Sequence, residues 1–565
     1  MFLFNTFKNL QRMKYLIVGA VAGGASAAAR LRRLDEMADI VLFEKGAHVS
    51  FANCGLPYYI GSVIKSRDQL FVQTATSLYD RYRIDVRICT EVLSIDTRNK
   101  SVKARNLTTG EDYSESYDKL ILAPGAEPIR PPLPGINNDK ILTLRSIQDS
   151  DKVKQYVSDK GVNKIIIIGA GFIGLEMAEN FHRIGKEVVV IEMAEQVLPP
   201  LDYPMAALVQ QHLRSKGIKL RLKAKVIGFE HDQSEVRVLL DHAASETADL
   251  VLLSIGVRAD TRLASAAGLR IGTGNGIWVN SYLQTSDPDI YAVGDAIEFP
   301  SPLTGTSSPT YLAGPANKQG RICANNIVLG NKHSYEGSVN TAIVKIFDLT
   351  VGITGLASKY LRRAGIRYKV STTTNSSHAS YYPGHSSQII QLVFDPKEGR
   401  LLGAQSVGAE GVDKRIDVLS AYVSLGKNVG DLCSHEHAYA PPFSSAKDPV
   451  NIAGFVAENL INDQLQVFYW DEVSDLSELD FLLDVRKEEE YANGHIKNAV
   501  NIPLDAIREH IDALPAGKRI FVYCESGLRG YLAQRLLLQI GFVDVFNLSG
   551  GYRIWKTCMD ELQLN

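Results

Sequence analysis

The sequence predicts a multidomain α/β protein, and three observations carry that prediction. A short apolar strand runs through a glycine turn into a small-residue helix at 14–33, and the same pattern recurs at 164–178. A third strand, ending in a cysteine loop that opens a helix, lies near the end of the chain at 519–540. Strands alternating with helices read as parallel sheets, so the first two units predict Rossmann-like domains and the last a smaller α/β domain. Between them, Thr341–Gly355 alternates apolar and small residues and opens an α+β domain.

A chain of 565 residues exceeds what one core fills. Apolar residues make up 45% and charged residues 22%, as in ordinary globular proteins. A net charge of -2 gives no electrostatic reason to expect nucleic acid or an anionic membrane. Six scattered cysteines suggest neither a disulfide framework nor a metal site, and fit a reducing, cytoplasmic setting. No run approaches the roughly 18 apolar residues of a membrane span. Residues 1–12 read as a disordered extension ahead of Met13 rather than a signal peptide.

In the first unit, Lys14–Val18 leads into Gly19, Gly23 and Gly24, and a second strand, Ile40–Phe43, ends at Glu44. This is a dinucleotide-binding layout: glycines for the turn, a helix N-terminus for the pyrophosphate, an acid for the ribose. Val21 stands where a second glycine is usual. The second unit is a full fingerprint, Gly169-x-Gly171-x-x-Gly174, followed by a strand ending at Glu192. A carboxylate there accepts from ribose hydroxyls and repels a 2′-phosphate, so NADH is expected over NADPH.

Two further segments, Tyr117–Ala126 and Thr285–Asp295, leave and close the first unit. In this order the segments resemble the flavoprotein disulfide reductases. The resemblance implies FAD on the first unit, held by Gly19, Gly23, Gly24, Glu44, Lys45, Ala123, Gly125, Gly294 and Asp295. It implies NADH on the second, at Gly169, Gly171, Gly174, Glu192 and Gly256. The expected domains are FAD-binding at 13–150 and 256–335, NADH-binding at 151–255, dimerisation at 336–455, a linker at 456–470 and a last domain at 471–565.

The segment Ser50-Phe-Ala-Asn-Cys54-Gly-Leu-Pro-Tyr-Tyr carries a lone cysteine. With no second cysteine nearby, Cys54 must form a mixed disulfide with substrate or cycle through a sulfenic acid. The first course describes coenzyme A-disulfide and persulfide reductases, the second NADH oxidases and peroxidases. The segment resembles the former, which implies that Ser26, Arg30, Arg33, Ser50 and Asn53 hold coenzyme A. Lys447 would contact its phosphate. Partial exposure and nearby positive dipoles are expected to lower the Cys54 pKa. Asn317 stands where some members of the family place a substrate-contacting histidine. The α+β domain of the family dimerises and lends tyrosines to the partner's site, which points to Tyr439 and to either Tyr381 or Tyr382.

Near the end, Asp484-Val-Arg486, Gly494-His495-Ile496 and Cys524-Glu-Ser-Gly527-Leu-Arg529-Gly530 resemble a single rhodanese domain. A cysteine at a strand end, in a loop opening a helix, sits in a cup of N–H groups that stabilises a thiolate or persulfide. Arg529 is expected to add charge to that loop. The whole then reads as a homodimeric, FAD-dependent NADH:persulfide or polysulfide reductase that also reduces coenzyme A disulfide. Cys54 would be its redox centre and Cys524 a sulfur donor. The competing readings are an NADH oxidase or peroxidase, and a reductase whose last domain only binds or senses.

Overall fold

The structure, a computed structural model, describes residues 12–159, 161–232, 235–242 and 244–564. Except for Arg12, the expected N-terminal extension lies outside them. Four five-stranded sheets carry the architecture.

The first is wholly parallel, in the order Ile290–Ala292, Lys119–Leu122, Lys14–Val18, Asp39–Phe43, Asp85–Arg87. Its central residues Leu16, Ile17, Leu120 and Ile121 are 0% exposed, as expected for strands covered on both faces. The second is also parallel, in the order Lys219–Arg221, Glu187–Ile191, Lys164–Ile168, Leu250–Leu253, Ile141–Leu142. The chain leaves the first sheet after Lys119–Leu122 and returns to it at Ile290–Ala292, so the second unit is an insertion.

The two glycine loops are built alike. Gly19 has φ +97° and Gly169 φ +104°, a region that L side chains rarely adopt. A Cβ on them would stand 2.0 Å from the carbonyl oxygen of Ala123 and 2.3 Å from that of Ser254. Gly24 and Gly174 let the helices Ala22–Leu34 and Phe172–Arg183 sit against these turns. A Cβ there would meet the Gly19 and Gly169 oxygens at 1.8 and 2.1 Å.

The third sheet is antiparallel, in the order Ala342–Ile346, Leu349–Gly355, Leu401–Gly408, Ser387–Phe394, Lys369–Ser376. The helices Val412–Ser424 and Pro449–Ile461 complete this domain through a core that includes Leu392, Ile416, Val450 and Ala453. The fourth sheet is parallel, in the order Val467–Phe468, Val545–Leu548, Ile520–Tyr523, Phe481–Asp484, Val500–Asn501. The segment 456–470, expected as a linker, instead holds the second half of Pro449–Ile461 and the edge strand Val467–Phe468. Its apolar residues are claimed by packing on both sides, which shortens the free connection to 462–466.

The last domain is docked. Its helix Gly551–Gln563 packs on Tyr203–Ser215 of the second unit, where Ile554 and Cys558 join the core of Met205 and Val209. Trp470 stacks on Tyr203 with ring centroids 5.3 Å apart, and the Arg553 guanidinium donates to Ser387 Oγ at 2.9 Å.

Candidate active site

One cleft of about 1570 Å³ runs between the first two units and is lined from both. Drug-sized ligand pockets span roughly 300–1,000 Å³, so this one has room for more than a single small ligand. Val21, Asn53, Cys54, Asp295 and Asn317 line it from one side, and Gly169, Gly171, Glu176 and Glu192 from the other.

Cys54 lies in the turn Asn53–Gly55 just ahead of the helix Leu56–Ile60, and its thiol is exposed to the cleft. Burial within these walls pushes the thiol pKa up; Glu176 and Asp295 add to this, and Arg145 opposes it. The expected lowering is therefore corrected: burial and the two carboxylates outweigh Arg145. Burial raises Glu176 itself, while the Tyr58 hydroxyl, donating to Oε1 at 3.1 Å, works the other way. Burial also raises Asp295, opposed by Arg145 at 3.6 Å. Beside Cys54, the buried Asn53 Oδ1 has no hydrogen-bond partner and is free to accept from a ligand.

The residues present fit two dinucleotides. Glu44 accepts from the Ala20 and Gly46 N–H groups at 3.0 and 2.8 Å, and Glu192 from those of Ala170 and Ala194 at 2.8 Å each. Each strand-end acid is thus fixed beside its own glycine loop. At Gly171 a Cβ would meet nothing within 4 Å, so the backbone is open to the cleft. The equivalent Val21 places its side chain on the cleft wall instead. Gly294 turns at φ +81°, and its N–H donates to Gln319 Oε1 at 2.7 Å, which ties the Asp295 turn to the helix Ala313–Leu329. Gly125 turns beneath Arg145, whose Nη2 would be 2.6 Å from a Cβ there. Ala123 backs Gly19, and Gly256, at φ +109°, lines the cleft. Gly23 serves packing, since a Cβ would be 2.9 Å from Val293. Lys45 is engaged with Glu91 at 2.8 Å on the exposed side.

A cationic branch of the cleft follows the crossing of Ala22–Leu34 with Ala313–Leu329. Ser26 donates to Asn317 Oδ1 at 2.5 Å, and Asn317 Nδ2 donates to the Ala313 carbonyl. Arg33 lines the cleft, as does Arg321, which sequence reasoning missed. Arg30 turns to Asn325 Oδ1 at 2.8 Å and is not on the lining. Ser50 lines the cleft in the left-handed region (φ 45°), a conformation that costs a non-glycine residue about 1–3 kcal/mol. Its N–H donates to the Ala20 carbonyl and its carbonyl accepts from Val72, which holds it there.

Tyr381, Tyr382, Tyr439 and Lys447 do not line the cleft of their own chain. The hydroxyls of Tyr381 and Tyr439 are 3.0 Å apart although 58 residues separate them, while the Tyr382 ring packs edge-on against His378. Tyr381, Tyr439 and Phe443 are 75%, 49% and 71% exposed, and Lys447 is exposed beside them.

A second candidate centre lies in the last domain. Cys524 ends the strand Ile520–Tyr523 and is 1% exposed, and the Gly527 N–H donates to its Sγ at 3.1 Å. The helix Leu528–Gln539 begins just beyond. Arg529 faces the Cys524 sulfur, and both its Nη atoms also donate to Glu490, at 2.6 and 2.7 Å.

Comparison with known proteins follows these divisions. The pyridine nucleotide-disulphide oxidoreductase profile matches residues 13–319, the dimerisation domain of those proteins residues 341–449, and the rhodanese-like domain residues 469–558. A coenzyme A disulfide reductase of Staphylococcus aureus (strain bovine RF122 / ET3-1) is 34% identical over 445 residues, 79% of this chain and 100% of that protein. Reduced CoADR-RHD of Bacillus anthracis superposes with a TM-score of 0.95 at 43% identity, covering 98% of this chain and 99% of that one. An NAD-dependent persulfide reductase from A. fulgidus superposes at 0.91 with 36% identity, covering 96% and 100%.

Proposed function

Because the chain belongs to the pyridine nucleotide-disulphide oxidoreductase family and continues into a rhodanese-like domain, we propose that it is a homodimeric NADH-dependent reductase of coenzyme A persulfide and polysulfide. It would reduce coenzyme A disulfide as well. The observation that carries this reading is the single cleft joining both glycine loops to Cys54, with no other cysteine on its walls among the described residues.

FAD on the Gly19 loop and NADH on the Gly169 loop supply, when bound, the electron pair that the thiol chemistry consumes. Cys54 Sγ attacks the carbon-bound sulfur of a coenzyme A persulfide. A Cys54–sulfur bond forms, the persulfide S–S bond breaks, and hydrosulfide leaves. Two electrons and a proton then return the mixed disulfide to the Cys54 thiolate and coenzyme A thiol. Asn53 Oδ1 would accept from the pantetheine amide, and Ser26, Arg33 and Arg321 would take the phosphates; the unpartnered Oδ1 and the cleft lining support these roles. The Tyr381–Tyr439 pair serves the cleft of the partner subunit, where a hydroxyl donates a proton to the leaving sulfur. Cys524 accepts sulfane sulfur and passes it to coenzyme A, which carries it to Cys54.

The test is anaerobic NADH oxidation by one preparation with coenzyme A persulfide, polysulfide and coenzyme A disulfide. The persulfide and polysulfide are expected to turn over at least as fast as the disulfide, with hydrosulfide released in step. NADH-driven oxygen or peroxide consumption at matching rates, with sulfane sulfur and coenzyme A removed, would overturn the reading. Cofactor choice is tested separately by Glu192→Ala. Loss of the carboxylate beside the Gly169 loop is expected to lower kcat/KM for NADH about tenfold or more. The rate with NADPH should hold or rise, since a repelling charge has gone.

A further inference from the structure

We propose that the Cys524 cup draws its sulfur from a thiol-borne persulfide and discriminates against thiosulfate, with Glu525 as the selecting residue. This rests on the reading of Cys524 as a sulfur acceptor and adds the class of donor. The observation is the charge balance at the cup. It holds two guanidinium groups; both are paired with carboxylates, and Arg529 also reaches the Cys524 sulfur. Arg486 is 2% exposed; its Nε donates to both Asp484 carboxylate oxygens at 3.1 Å, its Nη2 donates to Oδ2 at 2.7 Å, and its plane lies 3.9 Å over the Tyr552 ring. Arg529 is bidentate to Glu490. A third carboxylate, Glu525, follows Cys524 directly, is 44% exposed, and sits 3.6 Å from Arg486 Nη1.

Three carboxylates thus face two guanidinium groups around a cysteine whose sulfur is itself an anion when it reacts. Thiosulfate brings two negative charges to the reacting centre and releases sulfite, another dianion. A persulfide brings one, and its thiolate leaves on an organic arm. Like charges set close together at a binding site mainly suppress the wrong partner. Leu528 and Leu532, one helical turn apart on Leu528–Gln539, are 66% and 46% exposed and offer an apolar path for such an arm. In the transfer, Cys524 Sγ attacks the terminal sulfur of R–S–S⁻. The Cys524–sulfur bond forms, the donor S–S bond breaks, R–S⁻ departs, and no net oxidation occurs. The Gly527 N–H that donates to Cys524 Sγ lies in the cup that receives the resulting persulfide anion.

The experiment uses the full-length chain carrying Cys54→Ser, without NADH, and cyanide as acceptor. Thiocyanate is measured with pantetheine persulfide or thiosulfate as donor. The chain with native Glu525 is expected to prefer the persulfide by about 100-fold in kcat/KM. Glu525→Gln and Glu525→Arg should raise the thiosulfate rate stepwise, to about tenfold for arginine, with the persulfide rate changed less than threefold. Equal use of both donors, or a thiosulfate rate that neither substitution moves, would overturn the inference. Coenzyme A disulfide reduction by the Glu525 variants on the native Cys54 background reports folding and should be unchanged. If neither donor yields thiocyanate, or Cys524→Ser leaves the persulfide rate intact, the sulfurtransfer reading fails, and this inference with it.

Discussion

Cys54→Ser is expected to abolish NADH-driven reduction of coenzyme A persulfide, polysulfide and disulfide, with a loss in kcat on the order of 10³-fold or more. A hydroxyl in that position is too weak a nucleophile to open a sulfur–sulfur bond. No neighbour substitutes for it, because no other cysteine lines the cleft among the described residues. Anaerobic reduction of the flavin by NADH, followed as bleaching, should survive, since the glycine loops and their acids are untouched. Loss of both would mean that the substitution damaged the cleft; loss of neither would remove Cys54 from the mechanism. The same thiol carries a pH signature. Burial, Glu176 and Asp295 raise its pKa above the ordinary cysteine value. Its alkylation rate should climb at higher pH than that of a free cysteine. Glu176→Gln should shift that climb downward, as it removes one of the two carboxylates facing the sulfur.

The backbone-driven parts of this protein were legible in its sequence. A glycine that must take φ near +100° and a second that must admit a helix leave a local pattern, and both loops were found by it. The cysteine segments are local as well, and so were the four domains' fold types. What was missed is built by convergence. Arg145 and Glu176 come to Cys54 from two separate stretches of chain, and no spacing rule links them to it. The segment alone points to a lowered thiol pKa, whereas burial and the carboxylates the fold brings in raise it. Arg30 and Arg33 are three residues apart on one helix, yet only Arg33 reaches the cleft, because Asn325 on the crossing helix takes Arg30. Arg529 reads as a charge in the Cys524 loop and does face that sulfur, but only the fold brings Glu490 to it. The edge strand Val467–Phe468 is two residues long, too short for alternation to mark it inside an expected linker.

Convergence also fixes the second large effect, at a buried ion pair in the α+β domain. Arg415 and Asp448 are 1% and 0% exposed, with Nη2 3.0 Å from Oδ2. Arg415 Nη2 also donates to the Ser377 carbonyl at 2.7 Å, the start of the turn that carries Tyr381. Asp448 accepts from Ser444 Oγ at 2.5 Å, in the loop that carries Tyr439, and from the Val450 N–H at the head of Pro449–Ile461. One pair therefore pins both tyrosine-bearing loops to one helix. Removing one partner strands a buried charge, so Asp448→Asn is expected to cost about 3–5 kcal/mol. Hydrogen exchange of the Pro449–Ile461 amides is the measurement. Coenzyme A disulfide turnover should fall with it while flavin bleaching by NADH persists, as the Tyr381–Tyr439 contact loosens. The pH sign follows from Asp448: burial disfavours its charge, but Arg415, Ser444 and the Val450 N–H hold its pKa below the usual carboxylate value. The stabilisation is therefore complete above about pH 4, near the unfolded value, and is lost as pH falls through the lower folded one. The double replacement Arg415→Met, Asp448→Leu leaves no stranded charge and should recover much of the protection lost in Asp448→Asn. It should recover less of the turnover, because the donor to the Tyr381 loop and the acceptor for the Tyr439 loop are gone. Full recovery of turnover in that variant would show that the pair does not position the tyrosines.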